Sequence, residues 1–135
     1  MATGAPDGVL MIQVAVTVEN VPVVPTAANN YPIATYTYIS TSSDSYQTIK
    51  ELTVTTGRLG VLRGVEISCD NYAVAQFKLI VAGVTVFEDK KIPASFTKEF
   101  PDLEMSAGQK ATLYVKSDGA TTITAYCDFN YKEVG

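Results

Sequence analysis

The sequence predicts an all-β fold, an antiparallel two-sheet sandwich of about eight or nine strands, and three features carry that expectation. Sixteen valines and sixteen threonines among 135 residues put β-branched side chains at nearly a quarter of the positions. Such side chains lose χ1 freedom in a helix and fit a pleated surface. No window of about a dozen residues sustains a 3.6-residue apolar period. Short alternating runs recur instead, separated by Gly, Pro, Asn and Asp. A chain of this length buries roughly two-thirds of its unfolded surface. With 47% hydrophobic and 18% charged residues, it has the composition of a folded domain. We expect one sandwich domain over residues 1–135, with residues 1–8 as a flexible N-terminal arm.

Leu10, Ile12, Val14, Val16 and Val18 form the first period-2 stripe, which Glu19-Asn20 ends. Pro22 and Pro25 make the following stretch unsuited to a central strand, and residues 27–30 read as a loop. Over residues 34–40, Tyr36, Tyr38 and Ser40 alternate with Thr35, Thr37 and Ile39. A polar loop at 41–45 leads to a strand at 49–56 with Leu52 and Val54 on one face. Gly57 turns the chain into a strand over 59–68, with Val61, Val65 and Ile67 inward and Gly64 marking a bulge. After an Asp70-Asn71 turn, Ala73, Ala75, Phe77, Leu79 and Val81 alternate with Val74, Gln76, Lys78 and Ile80. Ala82-Gly83 then reads as a hairpin turn into 84–87.

Residues 88–91 read as a charged loop, Phe96 and Phe100 flank a short extended piece, and 101–108 is the one stretch suited to a helical turn. A last hairpin pairs Ala111, Leu113 and Val115 with Ile123, Ala125, Cys127, Phe129 and Tyr131 about a Ser117-Asp118-Gly119 turn.

The chain contains no histidine, which removes Ser-His-Asp and Cys-His nucleophiles, imidazole acid–base catalysis and His-containing zinc sites. Ten basic and fourteen acidic residues give a net charge of −4, with only Arg58 and Arg63 as arginines. That balance does not suit a nucleic-acid binder. No apolar run approaches the roughly 20 residues that cross a bilayer, so no membrane partner is expected. The first basic side chain is Lys50, so a basic secretory n-region is missing and synthesis in a cytoplasm is expected. Cys69 and Cys127 each sit in an apolar alternation. They read as buried reduced thiols, with a bridge between neighbouring strands as the alternative.

Asp70, Asp102, Asp118 and Asp128 are assigned to turns or strand ends, where Asx side chains cap their own backbone. Asp70, Asn71, Glu88, Asp89 and Asp118 offer loop oxygens to calcium but lack EF-hand spacing. Gly57, Gly60 and Gly64 are too dispersed for a phosphate loop. No cofactor is expected. The contact candidates are Tyr31, Tyr36, Tyr38 and Tyr46, because tyrosine supplies a large contact area at small entropy cost. Pro6, Val9 and Met11 join them from the charge-poor N-terminal third, which up to Thr48 has no Lys or Arg and only Asp7, Glu19 and Asp44 as acids. A surface so poor in charge suits self-association or docking on a larger assembly.

From Leu62 to Tyr131 the order of motifs is Leu-Arg-Gly-Val-Glu-Ile-Ser-Cys-Asp-Asn, Phe-Lys-Leu-Ile-Val-Ala-Gly-Val-Thr-Val-Phe-Glu-Asp, Phe-Pro-Asp-Leu-Glu-Met-Ser-Ala-Gly-Gln-Lys and Tyr-Val-Lys-Ser-Asp-Gly. This half of the chain resembles small jelly-roll-like virion proteins of tailed phages, head decoration (cement) proteins and some tail or fibre modules among them. The resemblance implies a non-enzymatic homotrimer on the capsid surface, assembled in the host cytoplasm, that locks neighbouring major capsid protein subunits together. The competing expectation is a carbohydrate- or receptor-binding module of a tail or fibre.

Overall fold

The computed structural model describes residues 29–135, and nine strands lie among them. They are β1 (Asn30–Pro32), β2 (Thr37–Thr41), β3 (Gln47–Thr53), β4 (Leu59–Cys69), β5 (Gln76–Val81), β6 (Val84–Lys90), β7 (Phe96–Met105), β8 (Lys110–Lys116) and β9 (Ile123–Val134). The strand expected at 10–18, the arm at 1–8, the proline stretch and the contact candidates Pro6, Val9 and Met11 lie outside the described residues.

Two antiparallel sheets form the sandwich. In the first, β9 pairs with β4, β4 pairs with β7, and β1 and β2 share the other edge of β9. The second runs β3-β8-β5-β6. The pairing is nested: β5 meets β6 at the centre, then β4 meets β7, β3 meets β8 and β2 meets β9. Ala82 and Gly83 close the innermost hairpin with φ of 51° and 82°. Both values are left-handed, as a two-residue type I′ turn requires.

Four expectations are corrected. The Ser117-Asp118-Gly119 segment is not a hairpin, because β8 and β9 belong to different sheets. A hairpin and a corner that crosses the sandwich bury the same alternate residues. Residues 88–90 continue β6; their charges suit an edge strand, where one side of the ladder faces water. The helical turn at 101–108 is absent, since Pro101 lies inside β7, an edge strand bonded to β4 alone. There the register slips between Glu99 and Leu103, with Asp102 at φ 48°, and an edge bulge tolerates a missing N–H. Asp102 and Asp128 therefore lie within strands rather than at their ends.

The bulge expected at Gly64 is present: Asn130 faces Gly64, Tyr131 faces Leu62, and Arg63 is the extra residue. It shifts the alternation, so that Leu62 and Val65, three apart, are both buried. A second slip between Thr48 and Lys50 does the same for Ile49 and Leu52. The core between the sheets is built from Leu62, Val65, Ile67, Phe77, Leu79, Met105, Leu113 and Ile123 with their neighbours. Cys69 and Cys127 are buried free thiols on the paired strands β4 and β9.

At one end of the sandwich lies a buried carboxylate. Glu133 is only 2% exposed. It accepts the Thr55 N–H at 3.0 Å and the Tyr131 hydroxyl at 2.7 Å on Oε2, and Arg58 Nη1 at 3.2 Å on Oε1. Burial opposes its charge, but the Thr55, Tyr131 and Arg58 donors outweigh that and hold the carboxyl down at about 2. The cluster ties β9 to the β3–β4 connection. Gly60 makes room for it, since a Cβ there would lie 2.9 Å from the Tyr131 hydroxyl and 2.7 Å from Val54 Cγ2.

Glu133→Gln should lower stability at neutral pH by about 1–3 kcal/mol, because three donors lose a charged acceptor. The folded carboxyl titrates below its ordinary value of about 4.3, so its contribution is complete above that value. It is lost as pH falls through about 2. Urea midpoints measured down the acid range should fall for the wild type, and Glu133→Gln should flatten that fall.

Candidate functional site

The four tyrosine candidates do not form one patch. Tyr31, in β1, is half-buried, with the Arg58 guanidinium 3.5 Å from its ring centroid. Tyr46 precedes β3 and lies against Tyr114 of the second sheet, with centroids 6.2 Å apart. Its hydroxyl donates to the Asp89 carboxylate and accepts the Asp89 N–H at 2.8 Å. Lys116 stands 4.6 Å over its ring and pairs with Asp89 at 3.0 Å. Burial, then the hydrogen bond to the Asp89 carboxylate, pushes the Tyr46 hydroxyl up to about 12. Tyr46 thus links the β2–β3 connection to β6 within its own chain.

Tyr36 and Tyr38 are different. They are 64% and 58% exposed, at and just before β2, on the outer side of the first sheet. The β2–β9 register puts Tyr38 opposite Tyr126 and Ser40 opposite Thr124. The rings of Tyr38 and Tyr126 stand 5.7 Å apart at 40°, and the two hydroxyls of Ser40 and Thr124 are 2.8 Å apart. The result is a band of tyrosine rings and hydroxyls on a hydrogen-bonded sheet.

Thr35 sets the position of Tyr36. Between β1 and β2 the main chain leaves β9, and the buried Thr35 side chain replaces the ladder. Its Oγ1 accepts the Phe129 N–H at 2.8 Å. Its single proton is shared between the Phe129 carbonyl and Asp128 Oδ1, each 2.7 Å away. Beside Tyr36 opens a depression of about 260 Å³, lined in part by Glu66, Ser68, Thr97, Tyr126 and Asp128. A second depression shares Tyr36, Glu66 and Asp128 with it.

Sequence reading missed Tyr126, Glu66, Ser68 and Asp128 as surface candidates. The signal was available, since inward Ile67, Cys127 and Phe129 imply outward Glu66, Ser68, Tyr126 and Asp128 by period 2. What alternation lacks is the pairing that sets them side by side.

The loop oxygens considered for calcium are engaged by the chain itself. Asp70 accepts the Thr124 N–H at 2.9 Å, and Asn71 accepts the Ala73 N–H at 3.1 Å. Asp118 accepts the Thr121 and Ala120 amides and the Thr121 hydroxyl, which hold its carboxyl down at about 2. Among the described residues, no three of His, Cys, Asp and Glu converge as metal ligands, and no helix is long and apolar enough to cross a membrane. Burial, then the Asp128 charge, pushes the Cys127 thiol up to about 12, and burial also raises Cys69.

Neither thiol should react with a disulfide reagent in the native protein, and both should react after denaturation. Thr35→Val keeps the shape but strands the Phe129 N–H. It should cost about 1–3 kcal/mol in a thermal or urea melt and broaden the Tyr36 resonances. No known family model matches the chain, and no curated protein matches it.

Proposed function

We propose that the chain is a non-enzymatic structural protein of a phage virion, a capsid decoration protein that stabilises the head by bridging major capsid protein subunits as a homotrimer. The observation that carries this reading is the band of exposed Tyr36 and Tyr38 beside half-buried Tyr126, with Ser40 and Thr124, held on a hydrogen-bonded sheet. Tyrosine brings contact area with little entropy to lose, so such a band favours protein contacts. The nested strand pairing, with β2–β9 and β4–β7 in one sheet and β3–β8 and β5–β6 in the other, supports the fold side of the reading, a jelly roll like those of capsid and lectin domains. Docking needs no reactive group. A patch of about 800 Å² per partner is sufficient for a specific contact, and repetition around a shell multiplies weak contacts through effective concentration.

A second reading, a carbohydrate- or receptor-binding module of a phage tail or fibre, has one observation in its favour. The depression beside Tyr36 combines aromatic rings with carboxylate and hydroxyl groups, which suit sugar hydroxyls. Glycan binding without particle binding would select it.

Capsids carrying the protein should withstand heat or osmotic shock that opens bare capsids, as seen by negative-stain microscopy. Light scattering should give a solution mass of three 14.5 kDa chains. The double variant Tyr36→Ala, Tyr38→Ala should keep its melting temperature within a few degrees and lose about tenfold or more in capsid affinity. No particle binding by the wild type, with capsid stability unchanged, would remove the proposal.

A further inference from the structure

Three clusters among the described residues, the first on a buried carboxylate, combine a carboxylate, a tyrosine ring and a cation from the chain itself. Arg58 pairs with Glu133 at 3.2 Å and lies 3.5 Å from the Tyr31 centroid. Lys116 pairs with Asp89 at 3.0 Å and lies 4.6 Å from that of Tyr46. Lys78 reaches Glu88 at 3.9 Å and lies 5.5 Å and 5.6 Å from Tyr46 and Tyr114. In each, a positive side chain satisfies a carboxylate and the negative face of a ring at once.

A fourth cluster has the carboxylates and the rings without the cation. Glu66 and Asp128 stand directly opposite each other in the β4–β9 register, and like charges in that relation destabilise a sheet. Among the described residues, neither is in an ion pair. Tyr36 and Tyr126 line the same depression, whose volume of about 260 Å³ has room for a side-chain head group. The Thr35 hydroxyl engages only one Asp128 oxygen. Residues 1–28 contain no Lys or Arg, and no described Lys or Arg lines the depression.

We propose that the groove between Tyr36 and Tyr126 receives an arginine side chain from the protein surface on which this face docks. The occupant follows from charge complementarity: two opposed carboxylates want a cation, and flanking rings favour a planar guanidinium over a compact, strongly hydrated ammonium. Arg58 on Tyr31 makes the same contact within the chain. The inference rests on the docking reading above and names the partner's chemistry.

Two measurements test it separately from that reading. In the first, the isotope-labelled protein is titrated with N-acetyl-argininamide, with the lysine analogue and a neutral saccharide as comparators. Amides of Tyr36, Ser68 and Tyr126 should shift saturably with the arginine probe and at least several-fold more weakly with the lysine one. Glu66→Gln should weaken arginine binding tenfold or more, and the double variant Glu66→Gln, Asp128→Asn should abolish it. Either variant suffices if the other fails to fold. No shift at these amides, equal binding by Glu66→Gln, or preference for the saccharide overturns the groove assignment. In the second, capsid binding by wild type and Glu66→Gln is compared across a salt series. A tenfold loss and a shallower salt dependence for the variant support the proposal. Equal binding overturns it while leaving the docking reading standing, and failure of the wild type to bind removes the docking reading, with the titration still deciding the groove.

Discussion

The antiparallel ladder between β4 and β9, running from Ala125–Cys69 to Val134–Leu59, is the constraint on which the rest of the molecule depends. It joins the second quarter of the described chain to its last strand, so it forms only after a long loop has closed. Its inward side chains supply much of one wall of the core. Its outward side chains, Ser68, Glu66, Tyr126 and Asp128, form the floor of the candidate surface. A slip of one residue would exchange the two sets, sending carboxylates inward and Ile67, Cys127 and Phe129 into water.

Polar chemistry keeps that register. The carboxylate of Glu133 is placed opposite Gly60 and takes donors from Thr55, Tyr131 and Arg58. A buried carboxylate adds little net stability over an apolar residue, but it penalises every alignment in which its donors are missing. Thr35 performs a similar task on the other edge of β9, where a side chain takes over from the backbone ladder. The interruption between β1 and β2 lets Tyr36 stand over the outer face instead of ending in an ordinary pleat.

Other polar groups organise the surface. Tyr46, Asp89 and Lys116 form a closed set of contacts on the second sheet, so most of their hydrogen-bonding capacity is used within the chain. The first sheet keeps its exposed tyrosines and its opposed carboxylates available. That asymmetry between the two faces is the physical ground for the contact role proposed for one of them. It also explains why a cluster of four tyrosines close in sequence divides among three locations.

Alternation is a local property, arising from the way successive Cβ atoms point to opposite sides of an extended chain, and so it could be read directly. It identified the inward faces of β5, β8 and β9 and that of β4 beyond its bulge, the Ala82-Gly83 turn, the Gly64 bulge and the buried cysteines, while the bulge put Leu62 rather than Val61 into the core between the sheets. Two sheets followed from the number of short strands and the turn residues between them. The partner of each strand depends on contacts between residues far apart in the chain, and alternation is blind to these. The Ser117-Asp118-Gly119 segment therefore looked like a hairpin although it crosses the sandwich, and residues 101–108 looked suited to a helical turn although an edge bulge carries β7 through Pro101. The juxtaposition of Glu66 with Asp128, of Tyr38 with Tyr126, and of Arg58 with Glu133 exists only once the strands are paired, because register, which no single strand carries, decides which side chains meet.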